Sequence, residues 1–95
     1  MIKHIVLWKF KEDKKDEMNL FLKRLEELNG VITEIKCMEI KRNVNLNGKN
    51  FDAMLISGFD SIEDMEKYKV DPRHVEVANL CKEIRIDRAA IDYEE

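Results

Sequence analysis

Tyr68 and His74 stand six residues apart, on either side of an Asp71-Pro72 step in the segment Tyr-Lys-Val-Asp-Pro-Arg-His-Val. A phenol and an imidazole on one tight corner are suited to proton chemistry. The imidazole can take a proton near neutral pH, and the phenol can donate a hydrogen bond to a carbonyl or enolate oxygen. The only other histidine, His4, lies far away in sequence and is the candidate third group. Two histidines without a supporting cluster of acidic residues do not suggest a metal site, and no cofactor motif is present, so neither is expected.

The corner is built by local chemistry. Ser61 with Asp64 three residues on resembles a capping box that opens a short helix through Lys69. Asp71 is a strong N-cap, and Pro72 suits the first helical position, where its missing N–H would have no partner. A second helix then runs to about Glu83, with His74 at its third position. There the positive end of the helix dipole disfavours a protonated imidazole and keeps it available as a base. The same residues also have structural roles open to them. His74 could cap its own helix, Tyr68 could be a core edge with its hydroxyl in water, and His4 could be a satisfied core histidine.

The rest of the chain supplies the frame. Residues 2–11 read as a strand with Ile2, His4, Val6, Trp8 and Phe10 on one face, so Val6 and Trp8 are expected to line a pocket beside His4. Residues 14–29 read as a helix whose buried face is Met18, Phe21, Leu22, Leu25 and Leu28. Asp13 is its expected N-cap and Gly30 its left-handed stop. Residues 33–43 and 51–59 read as strands joined by a hairpin-type connection around Asn47-Gly48, and Gly58 marks a bulge or a close approach. Residues 84–93 form the last strand.

Strand, helix, strand, strand, broken helix, strand is the ferredoxin-like βαββαβ order of an α+β fold. Helices cover one face of such a sheet. The strands nevertheless carry apolar residues on both parities: Ile5 and Leu7 against Val6, Trp8 and Phe10; Met54 and Ile56 against Phe51, Leu55 and Phe59; Ile84 and Ile86 against Ile91 and Tyr93. The economical cover for the second face is another copy of the chain, sheet against sheet, as a homodimer.

Composition sets the outer bounds. Ninety-five residues make one domain, and charged residues at 39 % with hydrophobic residues at 44 % describe a folded soluble chain. Net charge is −3 and basic residues are interspersed with acidic ones, so nucleic acid is not an expected partner. The apolar run at the N-terminus is broken by Lys3 and His4 and is too short and polar for a signal peptide or a membrane span, which makes the cytoplasm the default. Cys37 and Cys81 lack metal-type spacing and read as reduced core thiols.

Lys3-His4-Ile5-Val6-Leu7-Trp8-Lys9-Phe10, the Tyr68 to Val75 corner and the closing Ile91-Asp92-Tyr93 together resemble the stress-responsive dimeric A/B barrel family. The resemblance spans nearly the whole chain. It implies a ferredoxin-like fold that pairs through its sheets into a dimeric α+β barrel, with a helix-side apolar cavity in each subunit. Many members have no assigned activity. The branch of olivetolic acid cyclase type closes a linear polyketide by an aldol-type reaction without cofactor or metal. By residue match that scheme implies His74 as base, Tyr68 as holder of the enolate oxygen and His4 in the pocket, with a small apolar or phenolic ligand. Members often carry His directly before the Pro, where Asp71 stands here. A cofactor-free barrel of the antibiotic-biosynthesis monooxygenase kind and a structural assembly protein are the further alternatives.

Overall fold

Alternation along the first strand decides which side the helices take. In β1 (Ile2–Phe10) the even residues are buried and the odd ones only half-buried. The computed structural model describes residues 1–95. β1 is followed by a 3-10 turn at Glu12–Lys14 and by α1 (Lys15–Glu26). Then come β2 (Cys37–Arg42), β3 (Ala53–Phe59), α2 (Ile62–Val70), α3 (Pro72–Ile84) and β4 (Arg85–Glu94). The strands form one antiparallel sheet in the order β2-β3-β1-β4, the ferredoxin-like arrangement with the first strand central.

Register then sorts every side chain onto one of two faces. Val6 pairs with Leu55 and Ala90, and His4 with Ser57 and Asp92. The helix side of the sheet therefore joins the even residues of β1 to Leu55, Ser57 and Phe59. Phe21, Leu22 and Leu25 of α1, Met65 and Tyr68 of α2 and Val77 and Cys81 of α3 close on it. Trp8 and Phe21 meet edge to face with ring centres 5.2 Å apart. The opposite face carries Ile5, Leu7, Met54, Ile56, Ile91 and Tyr93 with nothing packed over it, and Ile91 is 62 % exposed.

Several local expectations need correction. Asp13 does not cap α1: it sits in the 3-10 turn, and the capping position, Lys14, makes no side-chain capping bond. Residues 33–36 are turns and not strand, because the chain reverses after α1 through Val31 N–H and Ile32 N–H bonding the Leu28 carbonyl. Ile32 and Ile35 are apolar because they plug the core's end, not because they alternate along a strand. Gly30 does adopt a left-handed φ of 87°, but within that turn, beyond the helix end at Glu26. The hairpin-type connection from Asn43 to Asn50 is present, since β2 and β3 pair antiparallel across it, and within its loop Asn47 Oδ1 accepts from the N–H groups of Lys49 and Asn50. The last strand is not apolar on both parities. Ile84 ends α3, Ile86 falls at a register shift opposite Lys9 and Phe10, and only Ile91 and Tyr93 sit in the regular apolar row. Phe51 precedes β3 and lies beside Leu7 and Met54 of the open face.

Gly58 keeps regular pairing with Lys3 and Cys37, so it marks no bulge. It marks a close approach: a Cβ there would lie 2.6 Å from Cys37 Sγ and 2.7 Å from Met1 Sδ. Gly58→Ala is expected to destabilise the fold by about 1–3 kcal/mol through overpacking. Adding Cys37→Ala should recover part of that loss, read as a shift of the urea unfolding midpoint. Equal midpoints for wild type and Gly58→Ala would show that the crowding is relieved at no cost.

Candidate functional site

Asp71 ends α2 and caps α3 at the same time. Its backbone N–H bonds the Tyr68 carbonyl, and its carboxylate accepts from the Arg73 N–H at 2.9 Å. The Arg73 guanidinium adds two further bonds to that carboxylate. These bonds hold the Asp71 carboxyl well below the usual range, at about 2. Pro72 takes the first position of α3 and His74 the third. Ser61 caps α2 by accepting from the Asp64 N–H at 3.1 Å.

His74 does not cap its own helix. Its Nδ1 lies 3.1 Å from the Lys69 carbonyl oxygen, in the last turn of α2, where carbonyls lack helical partners. A carbonyl can only accept, so Nδ1 carries the proton and a neutral ring leaves Nε2 with a lone pair. Burial lowers the His74 pKa; the bond to Lys69 and the charge of Asp71 oppose this, and His4 and Arg88 add to it. The Tyr68 ring lies against the His74 ring with centres 4.2 Å apart and against Phe59 at 5.2 Å. Tyr68 is fully buried, and its hydroxyl has no hydrogen-bond partner in the protein. Burial pushes its pKa upward, against a smaller pull from Arg88, so the phenol stays protonated.

His4 joins this pair from the sheet, its ring centre 6.4 Å from that of Tyr68. Its Nδ1 is 2.5 Å from Asp92 Oδ1, on the facing residue of β4. Lys69 Nζ stands 3.7 Å from the other oxygen of Asp92. Burial holds the His4 pKa below its usual value in spite of Asp92, with Lys69 and Arg88 acting in the same direction as burial. Burial alone would raise the Asp92 carboxyl, but its bond and charge contact with His4, together with Lys69, bring it down. Beneath His4, the buried Ser57 hydroxyl donates to the His4 carbonyl.

These groups border one cavity of about 380 Å³ between the sheet and the α2–α3 pair. The size is that of a small-molecule pocket. His4, Tyr68 and His74 all line it, and Val6 and Trp8 form part of its floor with Leu25 and Leu55. Cys81 also lines it as a free thiol whose pKa burial raises, Arg85 opposing. Cys37 lies apart, half-buried beside Lys3. The cavity is not simply apolar: Lys69, Lys82, Arg85 and Arg88 line it too. Sequence reading did not single out these cations or Asp92. The one available signal was β4 parity, since Arg88, Ala90 and Asp92 occupy helix-side positions where a covered strand would be apolar. No three His, Cys, Asp or Glu side chains come together as a metal site, and no helix is long and apolar enough to cross a membrane.

Comparison with known proteins agrees with this architecture. The family model described as the stress responsive A/B barrel domain matches residues 2–95. A curated relative, the stress-response A/B barrel domain-containing protein DABB1 of Arabidopsis thaliana, is 29 % identical over 98 % of this chain. The chain spans about half of that relative's length, 46 %. Among solved structures, a dimeric protein of unknown function and ferredoxin-like fold from Bacteroides fragilis is 34 % identical. It superposes with a TM-score of 0.89 over 99 % of this chain and 95 % of that one. A dimeric ferredoxin-like protein of unknown function from Thermobifida fusca shares the fold at 21 % identity and a TM-score of 0.87, covering 99 % of this chain and 90 % of that one.

The buried His4 and the half-buried His74 make stability depend on pH in a definite direction. Both folded-state pKa values lie below the ordinary 6.5, so the unfolded chain binds protons first as pH falls. Their contribution is complete above that value and is lost below it. Unfolding free energy measured in urea is therefore expected to fall between about pH 7.5 and about pH 5.5, before the carboxylates titrate. A rise over that interval would mean that the imidazoles are charged in the fold.

Proposed function

The chain belongs to the stress-responsive A/B barrel domain family, and from that premise we propose that its cavity carries out cofactor-free proton transfer on a small carbonyl compound, as a cyclase or isomerase of a polyketide-like or phenolic substrate. The observation that carries this reading is the buried Tyr68 hydroxyl, without a protein partner and stacked on His74 in a cavity. An orphaned buried hydroxyl costs free energy, and a substrate oxygen would supply the missing bond.

The chemistry follows from the protonation states. His74 Nε2 takes a proton from a carbon between two carbonyls, and the bonding pair moves onto a carbonyl oxygen. Tyr68 donates a hydrogen bond to that enolate oxygen and keeps its own proton, because burial makes it a weak acid. In a cyclisation the enolate carbon attacks a second carbonyl of the same chain, and the His74 imidazolium returns the proton to the new alkoxide. In an isomerisation it returns the proton to a different carbon. His4 donates its Nδ1–H to Asp92, which leaves the Nε2 lone pair to accept from a substrate hydroxyl.

The same premise supports a homodimer. Ile5, Leu7, Met54, Ile56, Ile91 and Tyr93 form an apolar sheet face with no cover, and the Bacteroides fragilis relative is described as dimeric. Sheet-to-sheet pairing would bury on the order of 800 Å² per subunit.

Both readings can be tested directly. With a short linear poly-β-keto thioester, the wild type should speed formation of the cyclised product, separated by chromatography from the spontaneous lactone. Tyr68→Phe and His74→Ala should each lower that rate by about a hundredfold or more. Tyr68→Phe should do so without loss of stability, since its hydroxyl bonds nothing in the protein. Wild-type rates in both variants would rule the mechanism out. Sedimentation equilibrium at micromolar concentration should give about twice the 11.3 kDa chain mass, and Ile56→Glu should return it to the monomer. A folded wild-type monomer would refute the dimer.

A further inference from the structure

The cavity's charge does not match the chain's. The protein has 20 acidic and 17 basic residues, yet Lys69, Lys82, Arg85 and Arg88 line the cavity and no Asp or Glu does. Lys69 is already engaged by Glu66 and Asp92. The charged side-chain groups of Lys82, Arg85 and Arg88 have no carboxylate within 4.0 Å, although acidic residues outnumber basic ones over the chain. These three cluster at one end of the site. Arg88 faces Trp8 and Arg85 faces Phe10 across the β1–β4 pairing, and Lys82 is in the last turn of α3. The His4–Asp92 pairing lies four residues further along the same two strands, about 13 Å away along the backbone. Between the two ends the floor is apolar, with Val6, Trp8, Leu25 and Leu55.

We infer that the ligand of this cavity is a small organic acid, its carboxylate held by Arg88 with Arg85 and Lys82, its apolar body on the Val6–Trp8 floor, and a carbonyl or phenolic oxygen at the Tyr68–His74 end. Guanidinium groups suit a planar carboxylate because two parallel N–H groups match its two oxygens. At about 380 Å³ the cavity has room for about a dozen water-sized groups of ~30 Å³, which fits a short-chain aryl or alkyl acid and not a long lipid. The inference rests on the cavity being the ligand site proposed above, and it narrows the substrate to an anion. An acid with its charge at one end and its carbonyl at the other would be oriented for proton removal before any chemistry occurs.

Trp8 is the only tryptophan and lines the cavity, so its fluorescence reports occupancy. The probes are 4-phenylbutyrate, 4-phenylbutanol and inorganic phosphate, titrated at low salt. The acid is expected to change Trp8 emission saturably and to bind at least tenfold more tightly than the alcohol. Arg88→Gln, and separately the Lys82→Gln/Arg85→Gln pair, should remove most of that preference. Arg24→Gln, on the exposed side of α1, should not change it. Added salt should weaken acid binding and leave alcohol binding unchanged. Equal affinity for acid and alcohol, absence of acid binding, full preference retained in both cation variants, or phosphate binding as tight as the acid would each overturn the inference. The readout is equilibrium binding, so it stands apart from turnover. A catalyst of neutral diketones that ignores the acid would refute the anion and spare the mechanism. A tight acid binder without turnover would do the reverse.

Discussion

The bond between His74 Nδ1 and the Lys69 carbonyl is the contact on which the site's geometry turns. It closes the end of α2 against the start of α3, fixes the tautomer of the imidazole and holds the ring against Tyr68. Asp71 makes it possible, since one residue must end the first helix through its N–H and open the second through its carboxylate. Without that double cap the chain would need a longer connection, and a loop would not hold the imidazole on the phenol. Chemistry and architecture are therefore the same few bonds at this corner. This explains why a segment so informative about fold says less about activity.

How much of this could be read beforehand depends on sequence distance. The α2–α3 corner was legible because its capping bonds join residues within a few positions of each other. The α1 face was legible from its 3.6-residue period, and Phe21, Leu22, Leu25 and Leu28 are indeed buried. Asp92 was not, because its bond to His4 spans 88 positions and exists only through the β1–β4 register. A slip of one residue in that register would carry Asp92 to the open face and leave His4 without a carboxylate. The misread strand at residues 33–36 has a different cause. Ile32 and Ile35 stand three apart, which is not a strand spacing; the end of the core needs plugs, and here turns supply them.

β4 reconciles the two faces of the sheet. The helices lie over β1, β2 and β3 and leave the helix side of β4 uncovered, so Arg88, Ala90 and Asp92 stand where an ordinary two-layer fold would have Val or Ile. That shortfall in cover is what opens a cavity in a chain of 95 residues. Its cost in buried area falls on a small protein with little to spare. On the other face of the same strand, Ile91 and Tyr93 continue the apolar row begun by Ile5 and Leu7. Burying that row between two copies would restore the lost area. The open sheet face and the open cavity would then be linked, because pairing of two copies would supply the burial that lets β4 keep a polar inner side.

The same balance bears on Tyr68. Tyr would be a poor choice for a purely structural core position, since Phe would fill the space against Phe59 and His74 without stranding a hydroxyl. His4 and His74 are similarly costly, the first buried and the second half-buried, each with its pKa pushed below the ordinary value by burial. His4 has Asp92 and His74 has the Lys69 carbonyl, so each imidazole has one nitrogen satisfied and one left over. Three polar groups with unspent bonding capacity around one cavity are hard to explain as packing. A fold selected only for stability would have satisfied them or replaced them with hydrocarbon. Their joint retention, beside cations that have no carboxylate partners, is the pattern of a site whose remaining partners arrive with a ligand.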